Sequence, residues 1–411
     1  LELRYDEAAR DGDGVKRYQI SDKRMSYSAA LPKNVLESGT SQVDKMHRLA
    51  LLGNVYAKAA GETAVFLPLR GECWIDENIG QRDFSMGHFG DLRGRNGWEN
   101  VSASIIYARP ALSPRTAEDL AEVMMGVPIQ RIETDASGRV FFEEETKSLP
   151  MRDGTIVPVK VERHPDPLAE AVRRSVTDSE LGQTEGRSRA VRRSASRPLV
   201  STVLTTAEVG HAIDGTFTYA EFKAQTDWPT ALLLNGVWVG ECKARWNVLA
   251  GVIRKLGDLG IENSPTEGFD GAFADRGIEN SPTEGFDGAF ANRGIENSPT
   301  EGRSHSDYFL YKVSIENDPT ESFSENIRAT ARRNPNLTTF IQRVDNAMSS
   351  GKASVPIMFA DFPTDGFQQF KVRTPGSRYA ANIYCTSRDN LALLLPGADI
   401  KPITANKDKR T

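Results

Sequence analysis

The sequence predicts an α/β protein whose core is an open, mostly parallel sheet. Short apolar, β-branched runs recur as "TAVFLPL" (63–69), "SASIIYA" (102–108) and "RPLVSTVLTT" (197–206). Helix-periodic stretches separate them, and strands alternating with helices at this spacing build parallel sheets through βαβ crossovers. At 411 residues the chain is long enough for two or three cores. We expect a tail or linker over 1–41, an α/β lobe over 42–206 and a small helical domain over 207–259. A disordered acidic linker over 260–304 and an α+β region over 305–411 complete the expectation.

Taken in order, the elements have local reasons. Residues 42–60 place Val43, Met46, Leu49, Ala50, Leu52 and Tyr56 close to a 3.6-residue stripe. Ser113 and Pro114 start a second helix, with Glu118 and Asp119 suited to the positive end of its dipole. Between 127 and 163, "GRVFF" and "GTIVPVKVER" alternate between glycine turns, the pattern of β-hairpins. Asp166 is an N-cap and Pro167 a first helical residue for the stretch that runs into the arginines near 187. Thr218 and Glu221 have capping-box spacing. "RWNVLAGVIRKLGDLG" puts Trp246, Leu249, Ile253 and Leu256 on one helical side.

"GIENSPTEGFDGAFADR" at 260–276 is followed by "GIENSPTEGFDGAFANR" at 277–293 and by a partial third copy. Each 17-residue copy offers one Ile and two Phe, too little for a stacked solenoid, which predicts a duplicated flexible linker. In the last hundred residues, "SFSENIRATARR" and "LTTFIQRVDNAMSS" read as helices. "VPIMFADF", "FQQFKVRT" and "RYAANIYCT" read as strands.

Several classes of chemistry are disfavoured. Cys73, Cys242 and Cys385 are far apart, without CxxC or metal-ligand spacing to the five His residues. That cysteine usage makes a reducing cytoplasm the expected compartment. No apolar run approaches the roughly 20 residues that span a bilayer. The phosphate-wrapping GxxxxGK[ST] loop is absent, as are GxGxxG and GxSxG. A chain starting "LELRYDEAAR", without Met, reads as a piece of a longer product. The net charge of −5 restricts any nucleic-acid contact to a local patch, and basic residues do gather between Lys160 and Arg197.

The segment "ELGQTEGRSRAVRR" (180–193) holds Gln-x-x-Gly-Arg-x-Arg in Gln183, Gly186, Arg187 and Arg189. Guanidinium groups suit phosphate because their planar fork binds two oxygens and keeps its charge. Glycine at 186 is expected to let the backbone turn tightly. The segment lies where a helix end meets the sheet, and ligands of such sheets gather at the carboxyl ends of strands.

Upstream, "HFGDLRGRNGWENVSASIIYARPALSP" carries His88, Phe89, Leu92, Arg93, Gly94, Asn96, Trp98, Val101, Arg109 and Pro110. With "HPDPLAEAVR" (164–173) and the arginine segment, it resembles the second RecA-like lobe of superfamily 2 helicases and primase-helicases of proteobacterial plasmids and prophages. The likeness covers 42–206 and returns faintly over 366–398. It implies a nucleic-acid-dependent ATPase of a mobile element that remodels or replicates DNA. ATP and Mg2+ would be held mainly by an N-terminal ATP-binding lobe supplied in cis or in trans. Arg187 would be the arginine finger, Arg189 a second phosphate contact and Gln183 the link to lobe closure. Gly186 and Arg193 would border the nucleotide, and Arg93, Asn96 and Arg109 would touch nucleic acid. Phe89 and Trp98 are expected to pack in the core. The sequence departs from the family at Ala108, where Gly is usual, at Ala190 and Arg192, and at Glu185. That carboxylate opposes phosphate unless a cation neutralises it. The competing expectation is a non-enzymatic DNA-binding or assembly module, or a decayed helicase remnant.

Overall fold

The structure is a computed structural model. It describes residues 14–25, 41–80, 82–92, 94–135, 140–207, 210–239, 252, 334–375 and 380–403. The repeats, the segment 322–333 and all but Val252 of the predicted helix at 245–260 lie outside the described residues.

Six strands form one wholly parallel sheet: β1 (Val15–Ile20), β2 (Thr63–Leu67), β3 (Ser85–His88), β4 (Ala103–Tyr107), β7 (Leu199–Leu204) and β8 (Gly215–Phe217). Their spatial order is β3-β2-β4-β7-β1-β8. The predicted strands at 63–69, 102–108 and 197–206 are its centre. The expected tail over 1–41 is corrected: it supplies β1, an inner strand hydrogen-bonded to β7 and β8. "VKRYQI" hides its strand character behind Lys16 and Arg17, yet its burial alternates and Arg17 points inward.

Connections run over both faces. α1 (Ser41–Ala60) and α2 (Leu69–Asn78) link β1 to β2 and β2 to β3. After β4 come α3 (Pro114–Met125), the antiparallel hairpin β5 (Glu143–Pro150) and β6 (Ile156–Arg163), and α4 (Pro167–Arg187). Ser113 caps α3 by accepting from Thr116 N, and Asp166 caps α4 by accepting from Leu168 N and Ala169 N. The first hairpin strand is the polar "EEETKSLP", not "GRVFF" as expected. Its ladder is a backbone pairing, and most of its side chains stay in solvent.

The predicted helical domain over 207–259 is also corrected. β8 belongs to the main sheet, and α5 (Tyr219–Gln225) and α6 (Trp228–Leu234) lie against α1. Arg48 of α1 ties them there, reaching Asp227 Oδ2 at 3.0 Å and the carbonyls of Lys223 and Thr226 at 2.6 and 2.9 Å. Thr218 and Glu221 form the full capping box of α5. β9 (Val237–Trp238) then joins an antiparallel sheet of order β14-β12-β13-β9, with β12 (Gln368–Arg373), β13 (Ala381–Cys385) and β14 (Asp399–Pro402). Around it lie α7 (Pro335–Ser350), the hairpin β10 (Ser354–Ile357) and β11 (Ala360–Pro363), and α8 (Arg388–Leu394).

One large apolar cluster joins the α1 face of the parallel sheet to this C-terminal sheet. A smaller one lies between the opposite face and α4, with Val15, Phe66, Ile106, Leu181 and Val203. Removing residues 1–41 therefore extracts an inner strand and leaves β7 and β8 without the partner between them. We predict that a chain starting at residue 42 loses cooperative unfolding by far-UV circular dichroism, whereas a chain starting at residue 12 keeps it.

Candidate arginine-lined edge

In a parallel sheet a helix that follows one strand must return the chain to the amino end of the next. α4 obeys this rule, so its last turn and the arginine segment lie at the amino edge of the sheet rather than the carboxyl edge. Leu199 N donates to Gly14 O just before β1, and Arg193 reaches Glu99 O just before β4. Gly14 packs so tightly there that a Cβ would stand 2.0 Å from Ser194 O.

The arginine segment and the loop at 95–100 meet at this edge. Arg187 Nη1 donates to Arg95 O at 3.1 Å, and Arg189 Nη2 to Asn96 Oδ1 at 3.0 Å. Arg197 Nη2 donates to Asn100 Oδ1 at 2.7 Å. Arg193 is buried, with Nε and Nη2 on Ser188 O and Nη2 on Glu99 O at 2.9 Å. Among the described residues none of these four arginines has a carboxylate ion-pair partner; every acceptor is a neutral carbonyl or amide oxygen. Burial, and next the charge of Arg197, lowers the pKa of Arg193, while Glu62 acts in the opposite sense.

The other predicted site residues divide clearly. Gln183 donates to Ser179 Oγ within α4. Gly186 is helical, and a Cβ there would meet nothing within 4 Å, so it does not make the expected tight turn. The turn falls at Arg189, which has a left-handed φ of 51°, and a short 3-10 turn follows over Ala190–Arg192. Arg193, expected at the nucleotide, instead clamps main chain from inside. Arg109 does not join Asn96: it is buried beyond the carboxyl end of β4 and pairs with Glu162 Oε2 at 3.0 Å. Ala108 before it takes a φ of 70°, the left-handed conformation that favours glycine. Arg93 lies outside the described residues.

The upstream motif is largely a packing device. Phe89, Leu92, Trp98 and Val101 are buried, and the Trp98 ring meets Phe66 edge-on at 5.3 Å. Gly87 is required because a Cβ would stand 2.8 Å from the Trp98 ring. His88 Nδ1 lies 2.5 Å from Glu72 Oε2.

Glu185 is neutralised by a residue the sequence reading placed in a tail. Both it and Arg17 are buried, with Arg17 Nε 3.3 Å from Glu185 Oε1. Ser201 Oγ approaches the same oxygen at 3.4 Å, and His211 Nε2 lies 3.3 Å from Oε2. Burial lowers the His211 pKa, Glu185 raises it, and Arg17 and Arg152 lower it further. Breaking a buried pair strands a charge and costs about 3–5 kcal/mol, while replacing both partners with apolar groups costs far less. Arg17→Ala should therefore lower the urea midpoint sharply, and Arg17→Met with Glu185→Leu should recover most of the loss.

The "HPDP" stretch anchors the other end of α4. His164 is fully buried; its Nδ1 accepts from Asp166 N at 3.0 Å, so the ring proton sits on Nε2 and faces Glu118 Oε1 at 3.0 Å. Burial alone would raise the Glu118 pKa, but Ile132 N–H, His164 and Arg131 bring it below its ordinary value. For Asp166, burial is likewise outweighed by the N–H groups of Gln130, Ala169 and Leu168. Carboxyls depressed in the folded state stabilise it above their unfolded pKa of about 4, and that contribution fades as pH falls through the folded values. We predict a falling urea midpoint below about pH 4, with a shallower fall in Asp166→Asn, which retains a capping oxygen.

Among the described residues no helix is long and apolar enough to cross a membrane. No family model, curated protein or solved structure matches the chain.

Proposed function

We propose that this chain is the arginine-bearing, RecA-like lobe of a two-lobed, nucleic-acid-dependent ATPase of helicase type. ATP and Mg2+ would be held by a second lobe, and DNA would be the nucleic-acid partner. The observation that carries this reading is the electrostatics of the amino edge. Arg187, Arg189, Arg193 and Arg197 converge there on neutral acceptors, and among the described residues no carboxylate is ion-paired to them. The one acid within the motif, Glu185, faces inward to Arg17.

Phosphate fits this face. Arg187 and Arg189 are half-buried, and each makes one described hydrogen bond, to the loop at 95–96. The rest of each planar fork is available to phosphoryl oxygens. Arg187 Nε is itself buried without a hydrogen-bond partner. A small swing of the loop would release both forks toward a nucleotide presented by the partner lobe. Bound ATP-Mg2+ supplies the phosphoryl group and its charge neutralisation, while this chain supplies guanidinium groups that stabilise charge on the transferring group.

A second reading, a non-enzymatic assembly module, is favoured by α3. Leu120, Val123 and Met124 are exposed on it, with Val127 exposed just past its cap, and apolar surface gathered in that way marks interaction sites.

The test joins the chain to an ATP-binding lobe with GxxxxGK[ST] and measures DNA-stimulated ATP hydrolysis. The joined protein should turn over ATP, and the isolated chain should not. Arg187→Ala should lower turnover by about 10³-fold or more with ATP affinity little changed, whereas Arg193→Ala should chiefly lower stability. Turnover at the parental rate in Arg187→Ala refutes the finger assignment.

A further inference from the structure

The hairpin of β10 and β11 is closed by two residues, Met358 and Phe359, between the paired Ile357 and Ala360. Both have positive φ, 44° and 70°, the geometry of a type I′ turn. Such turns favour Asn-Gly, because a side chain in the left-handed region crowds its own backbone. Met358 has a structural reason to be there. Its side chain is buried, its carbonyl accepts from Tyr56 Oη at 2.5 Å, and its N–H donates to Gln225 Oε1 at 2.9 Å.

Phe359 has less. It remains 38% exposed and lies flat on Tyr18, with ring centroids 3.7 Å apart and planes within 2°. Near face-to-face stacking of two electron-rich rings is a less favoured geometry than an offset or edge-on one. The sheet is shaped around this pair. Gly215 stands opposite Tyr18 in the β1–β8 register, and a Cβ there would come within 3.2 Å of the Tyr18 ring. A strained turn, an unfavoured stack and an exposed aromatic face coincide, and strain of this kind gathers at ligand sites.

Positive charge lies beside it. Lys16 is exposed and projects from the same face of β1 as Tyr18, two residues away. Phe217 lies 5.6 Å from Phe359, and two residues further on Tyr219 is flanked by Lys23 Nζ and Lys223 Nζ at 5.5 and 5.1 Å. The acid that acts on Tyr18, Asp214, is itself paired with Arg152, so an aromatic step with Lys16 on its face of β1 matches the chemistry of an unpaired nucleobase on its sugar-phosphate chain.

We infer that the Tyr18–Phe359 stack is a platform on which a base of single-stranded nucleic acid lies, with Lys16 beside its phosphates. The platform is on the α1 face of the sheet, remote from the α4 face, and does not depend on the arginine assignment.

Fluorescence anisotropy of the full chain with a labelled oligothymidylate of about 15 nucleotides tests this. Phe359→Gly removes the ring while giving the turn a residue it prefers, so the hairpin is retained, as near-ultraviolet circular dichroism will check. The expected result is binding weakened about tenfold in Phe359→Gly and preserved in Phe359→Trp. Lys16→Ala should reduce the slope of log affinity against log salt by about one. Thymidine monophosphate separates the sources of the base: competition only at far higher nucleotide concentration supports a strand, and equal competition overturns that choice. Parental affinity in folded Phe359→Gly, or no oligonucleotide binding by the parent chain, overturns the platform. The readouts are also separate: oligonucleotide anisotropy in Phe359→Gly reports on the platform, ATP turnover in Arg187→Ala reports on the finger, and the failure of either leaves the other standing.

Discussion

Arg17 and Glu185 sit out of water between the parallel sheet and α4, and the placement of the arginine segment depends on them. A lone carboxylate inside this layer would cost several kcal/mol. The guanidinium from β1 makes its burial tolerable, and Ser201 on the adjacent strand and His211 complete the surround. The pair thus joins residues 168 positions apart and fixes the helix end from which Arg187 projects. It also turns the only acidic side chain of "QTEGR" away from the surface that its neighbours present. A feature that weakens a phosphate-binding reading in sequence becomes neutral once its partner is in place.

Chain direction supplies the second constraint. Because every strand of the main sheet is parallel, helix carboxyl ends and strand amino ends share one edge. The loop before β4 and the turn before β7 must therefore be neighbours, although more than 90 residues separate Arg95 from Arg187. The basic residues between Lys160 and Arg197 cannot form one patch for the same reason. α4 has 21 residues, a length of about 31 Å, so Arg163 and Arg197 lie toward opposite edges.

The parts legible in sequence are those whose signal is local. The caps at Ser113, Asp166 and Thr218 are present, as are the periodic stripe of α1 and the apolar strands β2, β4 and β7. Strands whose character comes from their neighbours were not legible. β1 carries a cation inward because Glu185 waits across the layer, β3 is only "SMGH", and β8 is three residues long. β5 is polar because most of its side chains face solvent, and only Leu149 joins the small apolar cluster with Val159, Val161 and Ile213. At the candidate site, the residue types were legible and their partners were not. Nothing local to "GRSRAVRR" distinguishes Arg193, folded inward onto Ser188 O, from Arg189, reaching outward to Asn96.

The two edges of the sheet differ in how their cations are balanced. At the carboxyl edge, where open α/β sheets usually receive ligands, Arg109 pairs with Glu162, Arg24 with Glu144 and Glu162, and Arg173 with Glu170. Such pairs cancel charge locally and contribute to holding the β5–β6 hairpin and the start of α4 in place. At the amino edge Arg187, Arg189, Arg193 and Arg197 hold their loops by bonding to neutral oxygens, and among the described residues none of them is ion-paired, although Glu62 acts on Arg193 from a distance. Hydrogen bonding and charge compensation are separate requirements, and a fold can meet the first while leaving the second to a ligand. Among the described residues, four guanidinium groups are gathered at this edge by bonds to neutral oxygens, so the fold itself overcomes their mutual repulsion.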